Sequence, residues 1–240
     1  MMLFVLVHGG WQGGWSWDGV SEVLRAEGHR TLAPTWLGAV DGHPLAPADT
    51  TIDAAGARIA ETVTGTAGAD DVVLVGHSGG GPIVQSVADR LAARVSRVIY
   101  VDAVVLHDGE AFTDVMPFPE EFAASDAPID AVAPAPPASV WGESFLNGAP
   151  PELIAETADR LVDVPLVSLT SPVHLPRYWR SEPPAGYVFL RDDIAVPSSV
   201  WRDMAARLSD PAVFQCDGPH QAMLTHPDQL AKVLIDAATR

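Results

Sequence analysis

Residues 72–81 read Val-Val-Leu-Val-Gly-His-Ser-Gly-Gly-Gly, and this stretch decides the fold. Its four leading residues are apolar and mostly β-branched, which predicts a buried strand that runs straight into a Gly-x-Ser-x-Gly motif. The motif predicts a sharp strand-to-helix turn, because Gly76 and Gly80 lack the Cβ atoms that such a turn would crowd. Pro82 suits the first turn of the following helix. Ser78 on this turn is the predicted nucleophile, and the alternative is a glycine-rich turn whose serine caps the helix.

The composition indicates one globular domain that binds neither nucleic acid nor membranes. The chain has 240 residues, of which 48% are hydrophobic, and this length fits a single α/β domain. No run approaches the roughly 18 apolar residues of a membrane-spanning helix. The net charge is −17, with 31 acidic residues against 14 basic ones, which disfavours nucleic acid and anionic membrane surfaces as partners.

The single cysteine and the first residues of the chain predict a cytoplasmic location. Cys216 has no second cysteine with which to form an internal disulfide, and it is interpreted as a small buried strand residue rather than a catalytic thiol. The apolar residues 1–7 contain no basic residue and meet His8 at once. This pattern predicts a first strand and not a signal peptide.

Strand-like and helix-like stretches alternate along most of the chain. Apolar runs predict strands at residues 3–7, 29–34, 72–75, 98–101, 187–190 and 213–216. Apolar residues at helical spacing predict helices around residues 17–24, 52–63, 83–91, 200–208 and 230–234. This alternation predicts an α/β fold with a doubly wound, mostly parallel sheet. We expect one domain over residues 1–240, with a core of residues 1–104 and 186–240.

The alternation breaks at about residues 105–185, where we predict a cap inserted over the sheet. The stretch is rich in proline and has one clear predicted helix, at residues 151–161. A disordered linker is the alternative interpretation. The aromatic content favours an ordered cap, because solvated chain carries few aromatic residues. These aromatic residues are Phe112, Phe118, Phe122, Trp141, Phe145, Tyr178 and Trp179.

A serine nucleophile needs a general base, and His220 is the best candidate among the eight histidines. In an open parallel sheet, catalytic groups come from loops at the carboxyl ends of strands, and His220 follows the last predicted strand. His77 is excluded as the base because neighbours on a tight turn point apart. His226 precedes a proline and is interpreted as a cap or surface residue.

The acid that orients the base has three candidates in the sequence. Asp192 and Asp193 share the loop after strand 187–190, and Asp102 ends strand 98–101. The chain order serine, acid, histidine is the one expected for this fold. No pair of histidines has metal-ligand spacing with a carboxylate, so we expect neither a metal site nor another cofactor.

Acyl transfer also needs donors for the developing oxyanion. The N–H of Gly79, directly after the nucleophile, is one predicted donor. The second is assigned to Gly10 in the glycine-rich loop 8–15, with the N–H of Trp11 as an alternative. The Trp11 side chain is expected to line the substrate pocket. The other interpretation of this loop is a helix-entry turn.

Together these residues resemble the α/β-hydrolase superfamily, and the resemblance covers essentially the whole chain. Residues 5–17, 76–80 and 218–224 are similar to the plant methylesterase/hydroxynitrile lyase group and its bacterial esterase relatives. In that group the acid stands four residues before a proline. Asp193 stands in that relation to Pro197, so the resemblance favours it over Asp192 and Asp102.

The resemblance implies Ser78 as nucleophile, His220 as base, and Gly10 with Gly79 as the oxyanion hole. The lyases of the group carry a threonine where this chain has Gly9, and a lysine where it has Gln221. A cation that stabilises departing cyanide is therefore missing. Pro219 also stands where the group usually has an aspartate.

The sequence thus predicts a cofactor-free serine hydrolase that cleaves a small-molecule carboxylic ester or lactone of apolar character. The first alternative is a lyase, cyclase or C–C bond hydrolase in which Ser78 and His220 only transfer protons. The second is a ligand-binding protein without activity. The sequence leaves the oligomeric state open, with a homodimer as one option.

Overall fold

A parallel sheet forms the centre of the protein. The computed structural model describes residues 1–68, 70–116, 128 and 130–240. Across these residues the sheet has six strands in the spatial order β6-β5-β4-β3-β1-β2, and every neighbouring pair is parallel. The strands are β1 (Met2–Val7), β2 (Arg30–Leu32), β3 (Asp71–His77), β4 (Val95–Val101), β5 (Ala185–Leu190) and β6 (Ala212–Cys216). The predicted α/β fold is confirmed, and all six carboxyl ends lie at one edge.

Helices cover both faces of the sheet. The five longest in the described residues are α1 (Asp18–Ala26), α2 (Ile52–Thr66), α3 (Gly80–Leu91), α4 (Ser198–Ala206) and α5 (Pro227–Thr239). Alternate side chains of β1 point to opposite faces. Phe4 and Leu6 pack with α1 and α5, whereas Leu3, Val5 and Val7 pack with α2, α3 and α4. Burial on both faces explains the unbroken apolar run of β1.

Shorter elements connect these helices and strands in the described part of the chain. Six of these elements are helices with α geometry, at Phe112–Val115, Ala138–Val140, Pro151–Ala158, Val167–Thr170, Tyr178–Ser181 and Ala222–Thr225. A π-helical turn covers Trp141–Phe145, and 3-10 turns cover Gly14–Trp17, Pro47–Thr50 and Ala92–Arg94. Two small antiparallel ladders pair Ala39–Val40 with His43–Pro44 and Val132–Ala133 with Val164–Pro165. No helix in the described part of the chain is both long and apolar enough to cross a membrane.

The second strand is shorter than predicted. The prediction covered residues 29–34, but β2 ends at Leu32. Polar groups just beyond the strand bind the loop after β1 instead of continuing the sheet. Thr35 Oγ1 accepts a hydrogen bond from the Gly14 N–H (3.0 Å), and the Trp36 N–H donates to His8 Nε2 (3.2 Å).

Residues 105–184, which we call the insertion, connect β4 to β5. Its described part contains several of the short helices and the buried side chains of Trp141 and Tyr178. Asp89 of α3 accepts hydrogen bonds from the backbone N–H groups of Arg177 (2.6 Å) and Tyr178 (2.7 Å), which ties the insertion to the core. The predicted helix at residues 151–161 ends at Ala158. Phe118 and Phe122 lie outside the described residues.

Glycine is required where β3 turns into α3. A Cβ atom on Gly76 would lie 2.8 Å from the Gly80 oxygen, and one on Gly80 would lie 2.6 Å from the Val7 oxygen. Both distances are far below van der Waals contact with rigid backbone. Gly81 is tighter still, since its Cβ would lie 2.0 Å from the Val104 oxygen. The turn therefore packs against β1 and against the chain that leaves β4.

We predict that Gly81→Ala lowers the free energy of unfolding by about 3 kcal/mol or more, because α3 must move away from Val104. The measurement is urea unfolding followed by circular dichroism. Gly65→Ala is the matched control, because Gly65 is an exposed residue of α2 with open space around its Cβ position. That control should leave stability unchanged or raise it by up to about 1 kcal/mol. Equal stability of the two variants would contradict the packing argument.

Candidate active site

Ser78 lies on the turn between β3 and α3 in a strained backbone conformation. Its φ angle is +51°, in the left-handed region that non-glycine residues rarely adopt. Three hydrogen bonds hold it there. The Ser78 N–H donates to the Val101 oxygen (3.2 Å), and the Ser78 carbonyl accepts from the N–H groups of Gly81 (3.2 Å) and Val104 (3.1 Å). Strain that the surrounding structure stabilises in this way is typical of functional sites.

The loop after β1 is held by His8 and Trp36. The His8 ring is stacked on the Trp36 ring, with 5.5 Å between centroids, and His8 Nδ1 donates to the Gly9 oxygen (2.8 Å). Trp36 Nε1 donates in turn to the His8 oxygen (2.9 Å). Burial lowers the pKa of His8 to about 4, so the ring is neutral near pH 7 and its Nε2 can accept the Trp36 N–H.

This loop comes directly against Ser78. A Cβ atom on Gly9 would lie 2.9 Å from Ser78 Cβ, and one on Gly79 would lie 3.7 Å from the Gly10 nitrogen. Gly10, Trp11, Ser78 and Gly79 line one cavity. The structure therefore brings together the serine and the backbone N–H groups that the sequence assigns to the oxyanion.

His220 and Asp193 form a buried pair. His220 Nδ1 lies 2.7 Å from Asp193 Oδ2. Asp193 Oδ1 accepts from the backbone N–H groups of Ala195 (2.8 Å) and Val196 (3.4 Å), and Oδ2 accepts from Trp201 Nε1 (2.8 Å). Burial opposes ionisation of Asp193, but the charge of His220 and these hydrogen bonds outweigh it and lower its pKa to about 2. Asp193 is therefore a carboxylate at neutral pH.

His77 holds His220 beside the serine turn. His77 Nε2 donates to the backbone oxygen of His220 (2.9 Å), and the two rings lie 4.6 Å apart. Burial and the nearby His220 lower the pKa of His77 well below its usual value. A ring with so low a pKa binds a proton only weakly at neutral pH, so His77 is a poor general base although it adjoins Ser78.

The two other candidate acids have different contacts. Asp192 Oδ2 accepts from the Gly218 N–H (2.9 Å) and so holds the loop that carries His220. Asp102 is buried at the end of β4, where its Oδ2 accepts from the Leu190 N–H (3.1 Å). Burial and the Asp193 charge raise the pKa of Asp102 well above its usual range. Of the three acids, Asp193 is the one hydrogen-bonded to His220.

Two remaining candidates have structural positions. His226 is the N-cap residue of α5, and its Nδ1 lies 2.8 Å from Thr225 Oγ1. Cys216 is buried in β6, and burial raises the pKa of its thiol to about 12, so it is not a nucleophile at neutral pH. Among the residues that the structure describes, no group of three His, Cys, Asp or Glu side chains is arranged to hold a metal ion.

The cavity beside Ser78 is small, with a volume of about 60 Å³, and apolar. The loops of the sheet and the insertion both contribute to its wall, and the described residues around it include no charged side chain. They are Gly10, Trp11, Trp36, Ile52, Ser78, Gly79, Phe112, Val164, Ser168 and Leu169. Trp36 was not predicted from the sequence, because nothing local marks its contact with His8, 28 residues earlier.

Comparison with known proteins supports this reading of the fold. The family described as "Alpha/beta hydrolase family" matches residues 4–233. A carbendazim-hydrolysing esterase from Nocardioides sp. (strain SG-4G) is 38% identical over 122 residues, which are 49% of this chain and 48% of the esterase. The match thus spans about half of that relative's length.

Two relatives match over nearly the whole chain. A putative chloroplastic methylesterase 12 from Arabidopsis thaliana is 25% identical over 248 residues, covering 98% of this chain and 71% of that protein. The solved structure of an extracellular alpha/beta-hydrolase from a Paenibacillus species covers 99% of both chains with a TM-score of 0.86 and 22% identity. The structural likeness concerns the fold.

We predict that Asp102→Asn stabilises the protein increasingly as pH rises. The folded protein keeps a proton on Asp102 that the unfolded chain releases above about pH 4. The free energy of unfolding of the wild type therefore falls, relative to that of Asp102→Asn, by up to about 1.4 kcal/mol for each pH unit until the pH reaches the raised pKa. Urea unfolding at pH 5, 6, 7 and 8 measures this difference.

The control for this prediction is Asp71→Asn, because Asp71 is exposed at the start of β3. Its difference from the wild type should stay constant across the same pH values. A constant difference for Asp102→Asn as well would show that Asp102 is ionised in the folded protein.

Proposed function

The chain belongs to the alpha/beta hydrolase family, and on that premise we propose that it is a cofactor-free serine esterase acting on small, uncharged carboxylic esters or lactones. One observation carries the proposal. His220, which contacts Asp193 at 2.7 Å, packs against His77, the residue that precedes the strained Ser78. Ser78 in turn lines an uncharged cavity. A serine, a histidine and a carboxylate in this relation are the groups that acyl transfer requires.

Ser78 is the nucleophile of the proposed reaction. Because Asp193 accepts the proton of His220 Nδ1, the Nε2 atom of His220 is the free base. It takes the Ser78 hydroxyl proton while Oγ attacks the ester carbonyl carbon. The N–H groups of Gly10 and Gly79 donate to the oxyanion of the tetrahedral intermediate.

The remaining steps return the enzyme to its starting state. His220 gives its proton to the leaving alcohol oxygen, the C–O bond breaks, and an acyl ester forms on Ser78. His220 then takes a proton from water as the water oxygen attacks the acyl carbon. The bond between the acyl carbon and Ser78 Oγ breaks, His220 gives this proton to Oγ, and the acid leaves. Asp193 stays ionised throughout and stabilises the imidazolium, in keeping with its pKa of about 2.

The cavity wall supports an uncharged, apolar acyl group as substrate. Aromatic rings of Trp11, Trp36 and Phe112 line it, and a volume of about 60 Å³ suits an acyl group of a few carbons. The net charge of −17 disfavours anionic substrates. We also propose that residues 105–185 act as a cap, because Phe112, Val164 and Leu169 close the cavity on the side of the insertion.

The relatives support an ester as the substrate class, since two of them are named as a carbendazim-hydrolysing esterase and a putative methylesterase. The lyase alternative has less support. Gln221, which follows His220, has a buried, neutral side chain, and its backbone N–H donates to the Phe145 oxygen (3.1 Å). Position 221 therefore provides no cation for a departing cyanide.

We predict that an organophosphonate ester adds one phosphonyl group to the wild-type protein and none to Ser78→Ala or His220→Ala. The reagent needs an activated serine, and each variant removes one part of the activation. Intact-mass spectrometry measures the adduct. Ser21→Ala is the matched control, because Ser21 is a buried serine of α1 that does not line the cavity. A wild-type protein that forms no adduct would contradict the serine mechanism.

We predict that Asp193→Asn and Asp192→Asn separate the two neighbouring acids. Asp193→Asn places an amide that can donate to Nδ1 and favour the wrong tautomer of His220, so phosphorylation of Ser78 by a phosphate triester should slow by about 10³–10⁴-fold. The asparagine at 192 can still accept the Gly218 N–H, so its rate should stay within a few-fold of the wild type. Stopped-flow release of p-nitrophenol from a phosphate triester measures both rates. The reverse order of effects would assign Asp192 as the acid.

A further inference from the structure

Trp201 of α4 is bound to the oxygen of Asp193 that also binds the histidine. Its indole Nε1 donates to Asp193 Oδ2 at 2.8 Å, and His220 Nδ1 lies 2.7 Å from the same atom. The Trp201 side chain is 1% exposed. A buried indole N–H usually finds a partner, but here the partner is a carboxylate that already has another donor.

The Trp201 ring also faces the histidine ring. The planes are 10° from parallel, with 5.8 Å between centroids. Phe145 approaches the same imidazole edge-on at 5.7 Å, and it stacks in turn on Trp141. An aromatic face within about 6 Å of a cation attracts it. The site therefore provides an aromatic surface where the imidazolium forms.

We propose that Trp201 is a positioning residue for the base: its N–H orients the Asp193 carboxylate, and its ring stabilises protonated His220. This inference rests on the proposed function. The Asp193 oxygens are held on both sides, with Oδ1 bound to the loop amides and Oδ2 to the indole. The carboxylate therefore cannot rotate away from Nδ1 while the proton moves.

The two parts of Trp201 have opposite effects on the protonated base. The N–H draws charge from Asp193 Oδ2 and weakens its attraction for the imidazolium, whereas the ring face strengthens the protonated form. Removal of the N–H alone should favour protonated His220, so a higher pH is needed to free the base. Removal of the ring alone should have the reverse effect.

Other titratable and charged groups around the pair stay unchanged in this test. His77 of β3 faces the His220 ring. The Asp193 charge raises the pKa of Asp102 at the end of β4, and Tyr187 of β5 lies close to both acids. Arg191 and Arg202 line a cavity of about 270 Å³ together with Asp102, Asp193 and Trp201. A shift that appears only in Trp201 variants is therefore assigned to the indole.

The test is the pH dependence of Ser78 phosphorylation by diethyl p-nitrophenyl phosphate, which requires no knowledge of the natural substrate. In Trp201→Phe, which keeps a ring and loses the N–H, the half-maximal pH should rise by at least about 0.5 unit. The plateau rate should fall about tenfold, the rate equivalent of one charge-assisted hydrogen bond. In Trp201→Gln, which can donate but has no ring, the half-maximal pH should fall below the wild-type value.

Trp17→Phe is the matched control, because Trp17 is fully buried and its Nε1 has no hydrogen-bond partner among the described residues. It should leave the half-maximal pH unchanged. An unchanged half-maximal pH in Trp201→Phe, with a normally labelled wild type, would overturn the inference. If Trp201→Phe does not fold, Trp201→Gln decides: a half-maximal pH below the wild-type value supports the inference, and an equal or raised one contradicts it. A wild type that is not labelled at all contradicts the proposed function instead.

Discussion

The close approach of three backbone segments at the serine turn is the constraint on which the rest of the site depends. Gly76, Gly80 and Gly81 leave no room for a side chain between the turn, the end of β1 and the chain after β4. Because these segments touch, Ser78 is held at a positive φ, and the loop after β1 comes within contact of its Cβ atom. The same contact brings Gly10 and Gly79, whose backbone N–H groups are the proposed oxyanion donors, to the wall of one cavity. Geometry that is fixed before substrate arrives costs no reorganisation during the reaction.

Two buried neutral histidines extend this framework beyond the turn. Burial lowers the pKa of His8 and of His77, so each keeps one ring N–H for a backbone oxygen. His8 holds the loop after β1 because its ring accepts the Trp36 N–H, and His77 donates to the backbone oxygen of His220. Of these three histidines, His220 is the one paired with a carboxylate. Residues with the same side chain thus have structural roles in two places and, in the proposed mechanism, a chemical role in a third.

Most of the fold and several of the site residues could be predicted from the sequence, because their signals are local. The run into Gly-x-Ser-x-Gly marks Ser78, and the loops after β5 and β6 contain Asp193 and His220. Trp36, Phe145 and Trp201 could not be assigned in the same way, since no local pattern marks their contacts with the site. Trp201 reads only as an apolar residue at helical spacing, and its hydrogen bond to Asp193 depends on how α4 packs. The predicted length of β2 was wrong because polar contacts of Thr35 and Trp36 with the loop after β1 end the strand early.

The cavity wall is formed by two parts of the chain, the sheet with its helices and the insertion. Ser78, His220, Asp193 and the donors to Asp193 all come from the sheet loops and α4, whereas Phe112, Val164, Ser168 and Leu169 come from the insertion. Among the described residues, the contact of the insertion with the proposed proton-transfer residues is the ring of Phe145, which packs against His220. In the proposed esterase, substrate range and chemistry are therefore separable. An exchange of the insertion between related chains would change which acyl group fits, while the proposed reacting groups keep their positions.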